Sequence, residues 1–181
     1  AAEAGDVNLY PTLLGDQFAT LPAQVRAFHD PAGVTRWVGE ARVRRGRGIL
    51  ARLTCQLFGF PPDGEDVPLT LTITPESGAE RWDRDFGGKV MSSLQRARGG
   101  TLIEYLGPMR IHMTPIINGD RFSVEPVGWS CLGLPLPRAL MPTSQNFETE
   151  RDSRFHFDVS IAAPLVGPIV SYRGYLEGAD V

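Results

Sequence analysis

The sequence has few of the residues that disulfide frameworks and metal sites require. Among 181 residues it contains two cysteines, Cys55 and Cys131, and three histidines. It has no Cys-x-x-Cys pair, no His-rich cluster and no pair of histidines four residues apart. We therefore predict that both cysteines are reduced, buried thiols, and that the chain holds no metal and no cofactor.

Long apolar runs and an excess of positive charge are also missing. No segment approaches the ~18 apolar residues of a membrane-spanning helix, and the first ten residues lack the basic and apolar regions of a signal peptide. The formal net charge of −3 gives no bulk argument for a nucleic-acid partner or an anionic membrane. We expect a cytoplasmic protein that does not bind nucleic acid.

Length and composition are those of one globular domain. The hydrophobic fraction of 42% and the charged fraction of 22% are close to average, and 181 residues suffice to bury one sizeable core. We predict a single domain over residues 1–181, with residues 1–8 as a loose tail. Because the chain begins with Ala and not with Met, we expect it to be processed, tag-trimmed or excised from a longer polypeptide.

Most of the chain after residue 66 alternates between apolar and polar residues with the period of two that is typical of β-strands. Turn signals such as Gly87-Gly88, Gly99-Gly100 and Asn118-Gly119 separate the runs. The pattern predicts an antiparallel meander that ends in a hairpin over Arg154 to Glu177. Residues 131–142 contain three prolines and are predicted to form an apolar loop or a single helical turn.

Two segments favour helices. Apolar residues three or four apart predict two short helices within residues 8–30, divided near Ala19, and an amphipathic helix near 48–58. Long twisted sheets curl or close on themselves. We therefore predict an α+β fold, in which a strongly curved antiparallel sheet or incomplete barrel of about nine or ten strands is covered by the N-terminal helices and the helix near 48–58.

Charged residues share strand faces with large apolar ones at two places. Glu80 and Arg84 lie on the same face as Trp82, and Glu104 lies on the same face as Leu102. If these faces point inward, the sheet interior gains a general acid or an anion clamp; if they point outward, the charges are solvated. We predict that Glu80, Trp82 and Arg84 bind a ligand and that Glu104 is catalytic.

The last hairpin offers a second candidate. His156 and Asp158 share a strand face and could hydrogen-bond as a base and its orienting carboxylate, while Phe155 and Phe157 point the other way. If the first face lines the interior, His156 and Asp158 are catalytic and Tyr172 binds the ligand. If the phenylalanines fill the core, His156 and Asp158 are surface residues.

A basic cluster lies beside the helix near 48–58. Contact with an anionic headgroup, a phosphate or a membrane surface is one interpretation of it, and a solvated basic face is the other. Its members are Arg42, Arg44, Arg45, Arg47 and Arg52.

Several longer motifs resemble those of a bacterial family known only as a domain of unknown function, the DUF4166-like family. They include L-P-A-Q-V-R-A-F-H-D, E-R-W-D-R-D-F-G-G-K-V-M-S-S, L-G-L-P-L-P, F-H-F-D-V and P-L-V-G-P-I-V-S-Y-R-G-Y-L-E, and together span most of residues 9–177. The resemblance implies a protein that stands alone or is attached to a dehydrogenase-like protein of the saccharopine or short-chain type. It implies no established catalytic residue.

Three functions remain open at this point. The first is binding of an apolar or amphipathic small molecule in a cavity of the curved sheet, closed by the loop at 131–142 and the helix near 48–58, with or without an oxidoreductase partner that the protein serves. The second is an acid/base enzyme, of isomerase or cyclase type, acting in the same cavity. The third is a structural or interaction domain. A dry apolar cavity favours carriage, whereas two or more converging ionisable groups favour chemistry.

Overall fold

A computed structural model describes residues 8–179, and in it the alternating segments form the strands of one antiparallel sheet. The predicted loose tail lies, apart from Asn8, outside the described residues. The strands are β1 (Thr35–Arg45), β2 (Gly64–Glu76), β3 (Ala79–Phe86), β4 (Lys89–Arg98), β5 (Thr101–Leu106), β6 (Met109–Asn118), β7 (Arg121–Cys131), β8 (Leu134–Pro135), β9 (Thr143–Arg151), β10 (Arg154–Ala163) and β11 (Gly167–Ala179).

Ten of the eleven strands described in residues 8–179 close into a barrel. Neighbours along the chain pair from β1 to β7, β9 pairs with β10 and β10 with β11, and β11 returns to β1. The ring is completed where β7 meets β9, while the short β8 pairs with β7 alone. The predicted α+β class and antiparallel sheet are confirmed, but the barrel is closed and not incomplete. Closure follows because β7 pairs with both β6 and β9, so the two ends of the row of neighbouring strands meet and leave no free sheet edge in the ring.

The two ends of the barrel are built differently. At one end, which we call the helical end, α1 (Leu9–Leu14), a 3-10 helix (Gly15–Thr20) and α2 (Ala23–His29) pack against β4, β9 and β10. The two predicted short helices correspond to α1 and α2, but the predicted boundary near Ala19 lies within the 3-10 helix between them. Phe28 of α2 inserts into the barrel and stacks on Phe155 of β10, with ring centroids 3.9 Å apart.

The opposite end, which we call the mouth, carries the connections β1–β2, β3–β4, β5–β6, β7–β9 and β10–β11. The first of these contains α3 (Ile49–Leu57), and the fourth contains β8 and a 3-10 turn at Arg138–Leu140. The predicted helix near 48–58 is therefore confirmed. For residues 131–142 we predicted an apolar loop or a single helical turn; the segment contains such a turn, but also the short strand β8, which was not predicted.

The apolar stripe of α3 suggests that its large apolar side chains pack on the protein, but in the structure they face away from it. Its buried residues are Ala51 and Cys55, and the Cys55 thiol lies 3.3 Å from the Ile169 carbonyl oxygen of β11. These small side chains let the helix approach the barrel wall closely. The larger apolar residues point away from the protein, with exposed fractions of 70, 53, 56 and 75% for Ile49, Leu50, Leu53 and Leu57.

Both cysteines are free, as predicted, although only Cys55 is buried and Cys131 is half-buried. No helix within residues 8–179 is long and apolar enough to cross a lipid bilayer.

The closing hairpin turns its phenylalanines inward. Phe155 and Phe157 of β10 are buried in the core, together with Leu176 of β11. Successive side chains of a strand alternate between its two faces, so His156 and Asp158 point to the outside of the barrel. Of the two orientations left open by the sequence, the structure has the one that places this pair at the surface.

Strands β1 and β11 approach each other closely at Gly174, and glycine is required there. A Cβ atom on Gly174 would lie 1.9 Å from the Glu40 carbonyl oxygen, whereas a Cβ atom on Gly178 of the same strand would meet only the Trp37 ring at 3.8 Å.

We expect Gly174→Ala to lower the free energy of unfolding by about 1–3 kcal/mol, because the strands must separate to admit the methyl group. Gly178→Ala is the matched control and should change stability by less than about 0.5 kcal/mol. Urea denaturation followed by tryptophan fluorescence measures both. Equal effects would show that the close approach at Gly174 does not constrain the fold.

Candidate functional site

A cavity of about 140 Å³ lies inside the barrel and extends toward the mouth. A second cavity of about 80 Å³ adjoins it and shares Trp82, Arg84, Glu148, Val159 and Tyr172 with it. For scale, an apolar protein cavity of roughly 150 Å³ accommodates one benzene molecule. The walls near the mouth are apolar, and their residues are Phe60, Met91, Leu106, Ile111, Met113, Val124, Val159 and Ile161.

Arg84 on β3 places a guanidinium group in this cavity. Its Nη1 donates to the Ser93 hydroxyl at 2.9 Å, its Nη2 lies 3.5 Å from Glu104 Oε1, and its Cζ stands 5.1 Å from the centre of the Trp82 ring. The arginine side chain is 12% exposed and that of Glu104 21%. This ion pair is long, so a bound molecule can reach the arginine or the carboxylate without breaking a tight contact.

A chain of hydrogen bonds continues from Glu104 toward the helical end. The Gln95 amide donates to Glu104 Oε1 at 3.5 Å, and the Tyr10 hydroxyl of α1 donates to Gln95 Oε1 at 2.7 Å. Burial is the main cause that raises the pKa of Tyr10 well above its usual value, with the carboxylate of Glu148 adding to it. Burial likewise raises the pKa of Tyr172. Both phenols therefore keep their protons at neutral pH; that of Tyr10 is donated to Gln95, and the Tyr172 hydroxyl can donate to a molecule in the cavity.

Glu148 on β9 is a second carboxylate that lines both cavities. Its Oε2 lies 2.5 Å from Nε2 of His29, a wholly buried side chain at the end of α2. A carboxylate accepts hydrogen bonds only, so His29 Nε2 is assigned as the donor of this contact. The ring also lies against Tyr10, with centroids 3.9 Å apart, and its Nδ1 has no hydrogen-bond partner among residues 8–179. The contact with His29 thus fixes the position of the Glu148 carboxylate.

Glu80 is the most deeply buried carboxylate of this group, with 2% exposure. Its two oxygens accept hydrogen bonds from the backbone N–H of Leu9, at 3.3 Å, and from Trp82 Nε1, at 3.1 Å. Burial raises the pKa of Glu80, and the hydrogen bond from Trp82 acts in the opposite direction. Its contacts fix the start of α1 and the orientation of the Trp82 ring at the edge of the cavity.

The wall of the barrel is weakest between β7 and β9, a boundary that we call the seam. One ladder pair, Phe122 with Glu148, joins the two strands. Two residues further along β7, at Val124, the side-chain amide of Asn146 on β9 takes the place of a ladder pair. Asn146 Oδ1 accepts a hydrogen bond from the Val124 N–H at 2.9 Å, and Asn146 Nδ2 donates one to the Val124 carbonyl at 2.7 Å.

Proline explains why the seam opens beyond this point. Residues two apart on a strand direct their backbone groups to the same neighbour, so Pro126 is next in line to pair with β9, and it has no N–H to donate. An open groove of about 600 Å³ lies outside the barrel here. The groove and the interior cavity share five residues of the seam: Pro126, Pro142, Thr143, Ser144 and Asn146. At the seam, the same residues therefore border both the cavity and the outside.

The structure brings together four of the seven residues that the sequence proposed for a site. Trp82, Arg84, Glu104 and Tyr172 line the same cavity. Glu80 lies behind Trp82 and supports it. The roles of these residues stay predictions, and the structure adds that four of them surround one cavity.

His156 and Asp158 occupy another face of the sheet. Both border an outer depression that also includes Arg151, Arg173 and Tyr175. The pKa of His156 is lowered by partial burial and then by the positive charge of Arg151. The barrel wall separates this pair from Glu104, so the three residues predicted to be catalytic do not form one site. A catalytic role for His156 and Asp158 stays a prediction.

Sequence reasoning missed Tyr10, His29, Gln95 and Glu148. For His29 a signal was present, because it follows Val25 by four residues and therefore lies on the buried side of α2. For Glu148 the signal is misleading, since Asn146 and Glu148 form the polar side of β9 and polar sides usually face water.

The buried carboxylate of Glu80 predicts a pH-dependent cost of substitution. A pKa raised in the folded state means that this group stabilises the fold fully below its unfolded pKa and that the contribution is lost as the pH rises through the folded pKa. Glu80→Gln removes this titration and one of two acceptors, and should cost about 1–3 kcal/mol at pH 4.5 and less at pH 7.5.

Urea denaturation at several pH values measures this difference, with the exposed Glu40→Gln as the control. A cost that grows with pH would contradict the assignment of a raised pKa to Glu80.

The geometry of the seam indicates that the side-chain amide of Asn146 holds β7 and β9 together. Asn146→Ala leaves the N–H and carbonyl of Val124 without partners, so we expect a loss of about 1–3 kcal/mol in the free energy of unfolding. Gln145→Ala, at an exposed neighbouring position of β9, should be nearly neutral. Hydrogen exchange of the Val124 amide, followed by NMR, should accelerate in Asn146→Ala alone. Unchanged exchange would mean that Asn146 does not close the seam.

Comparison with known proteins identifies a family but no activity. No curated protein and no solved structure matches the chain. A family model described as a domain of unknown function (DUF4166) matches residues 21–176, a range that contains β1 to β10 completely and β11 up to Leu176. The match covers well over half of the 181 residues. The chain belongs to the DUF4166 family, as its sequence motifs implied.

Proposed function

We propose that the protein binds a small amphipathic molecule inside its barrel. The observation that carries this proposal is the cavity in which apolar walls near the mouth meet Arg84, Glu104, Glu148 and Tyr172 at its inner end. Concave, mostly apolar sites with a few convergent polar groups are the usual form of small-molecule sites. Such a cavity orients a ligand with its apolar body toward the mouth and its polar end against these four residues.

The charges of the cavity favour a ligand that donates hydrogen bonds. Two carboxylates, Glu104 and Glu148, line the cavity, against the single guanidinium of Arg84. An anionic ligand would meet two like charges in a medium of low dielectric constant. A hydroxyl or an amine instead finds carboxylate acceptors. The proposed ligand is therefore a neutral or cationic molecule with a donor group.

The size of the cavity limits the part of the ligand that it encloses. A volume of about 140 Å³ takes one ring or a short branched chain, while sites for drug-sized ligands measure roughly 300–1,000 Å³. A larger ligand would extend through the seam or the mouth, where Phe60 and the segment 142–144 border the cavity.

Three ring compounds test the charge preference: benzyl alcohol, benzylamine and benzoate, each titrated by ligand-observed NMR. We expect the alcohol and the amine to bind and benzoate to bind at least about tenfold more weakly, because a carboxylate lacks a donor and meets Glu104 and Glu148.

Glu104→Gln should weaken the binding of the amine more than the binding of the alcohol, since the substitution removes a charge but keeps a hydrogen-bond acceptor. Asp83→Asn on the outer face of β3 is the matched control. Preferential binding of benzoate, or no binding of any of the three, would contradict the proposal.

Acid/base catalysis in the same cavity is the second candidate. It is favoured by one observation: Glu148 is held at 2.5 Å by His29, and burial keeps the nearby Tyr10 and Tyr172 protonated, so that an acceptor and donors of protons border the same space. In this alternative Glu148 would take a proton from a carbon atom of the ligand, and Tyr172 would hydrogen-bond the oxygen on which charge develops.

Phenylacetone in D₂O separates the two candidates, because a base in the cavity exchanges the C–H groups beside its carbonyl for deuterium. Exchange faster than in buffer, lost in Glu148→Gln while binding persists, would support the enzyme. Exchange at the buffer rate with normal binding would support carriage. A dehydrogenase-like partner that receives the ligand stays part of the proposal and is not required by either result.

A further inference from the structure

The exposed apolar residues of this protein are concentrated at one end. Nine of the eleven large apolar side chains that are exposed within residues 8–179 lie at the mouth, and the other two are Val34 at the helical end and Val127 on the barrel wall. Single exposed apolar residues are ordinary, but a concentration of them marks an interaction surface. The nine are Ile49, Leu50, Leu53, Leu57, Val90, Leu132, Leu134, Leu140 and Leu165.

The same end carries positive charge. The segments that form it, residues 44–66, 85–90, 106–110, 131–143 and 163–168, contain seven basic and four acidic residues. The remainder of the chain contains 11 of the 18 basic and 17 of the 21 acidic residues. The overall charge of −3 therefore conceals a basic mouth on an acidic body.

Some of the basic residues at the mouth already have structural partners. Arg44 pairs with Glu65, and the Arg45 guanidinium donates to the carbonyls of Phe60 and Pro61. Arg47 and Arg52 form no ion pair within the part of the chain that the structure describes. Arg52 lies on α3 beside the stripe of Ile49 and Leu53.

We propose that the mouth docks on an anionic lipid bilayer, with the leucine side of α3 and the neighbouring loop tips in the interface and Arg47 and Arg52 against the headgroups. An amphipathic helix with exposed leucines and flanking arginines is suited to lie in the plane of such an interface. Basic residues near an anionic surface are attracted to it, and the acidic body orients the protein with its mouth toward the lipid. The proposal stands independently of the ligand in the cavity.

Co-sedimentation of the purified chain with lipid vesicles tests this docking. We expect binding to vesicles of equal parts phosphatidylcholine and phosphatidylglycerol, much weaker binding to phosphatidylcholine alone, and weakening of the former by salt. Arg52→Glu and Leu53→Glu should each reduce partitioning to the anionic vesicles at least about tenfold. The matched controls at the helical end, Arg26→Glu and Val34→Glu, should change it less than about twofold.

All four substituted side chains are exposed, so thermal melting should match that of the unchanged protein. If Leu53→Glu does not fold, Leu57→Gln replaces it. Absence of binding to the anionic vesicles would overturn the proposal, as would an equal loss of binding in the two control variants. Size-exclusion chromatography tests the main alternative, in which the mouth binds a second copy of the chain. Self-association that Leu53→Glu abolishes, without vesicle binding, would support that alternative and overturn the proposal of lipid docking.

Discussion

The structure depends on the closure of ten strands into a ring, although the last junction, between β7 and β9, has almost no main-chain hydrogen bonding. A closed barrel needs hydrogen bonds on both sides of every strand, because an unpaired strand edge exposes its N–H and C=O groups. Between β7 and β9 one ladder pair and the side chain of Asn146 meet this need, and Pro126 ends it. The barrel is closed firmly at the helical end and loosely toward the mouth. The cavity and the outer groove adjoin each other at this loose part of the wall.

The interior has an unusual distribution of polarity. Glu80, Arg84, Gln95, Glu104 and Glu148 point into the barrel, whereas α3 directs its leucines outward. Burial of charged groups costs free energy unless hydrogen bonds compensate for it, and these residues are connected by such bonds to Ser93, Trp82, Tyr10 and His29. A core filled with apolar side chains would need no such network. The arrangement is understandable if the interior serves binding or catalysis and the mouth serves as a contact surface.

The sequence was sufficient for the elements and insufficient for their orientation. The period-two pattern and the paired glycines predicted the meander, and the stripe at Leu50, Leu53 and Leu57 correctly predicted α3. Periodicity shows that a helix or strand has two different sides, but not which side meets the protein. For β3 and β10 the larger aromatic residues mark the inner side. For α3 the inner side is instead formed by Ala51 and Cys55, whose small size allows close packing on β11. Glu148 and His29 are 119 positions apart in the chain and come into contact only in the folded barrel, so no local sequence pattern predicts their contact.

The central claim is that the interior holds a small molecule, and mass spectrometry of gently purified protein tests it most directly. The native spectrum should contain a species heavier than the chain, which releases one small apolar molecule with a hydroxyl or amine group on denaturation. Val159→Phe, which fills space shared by both cavities, should abolish this species while preserving cooperative unfolding. A spectrum of the bare chain alone after gentle purification, or the same released molecule from both proteins, would contradict the account.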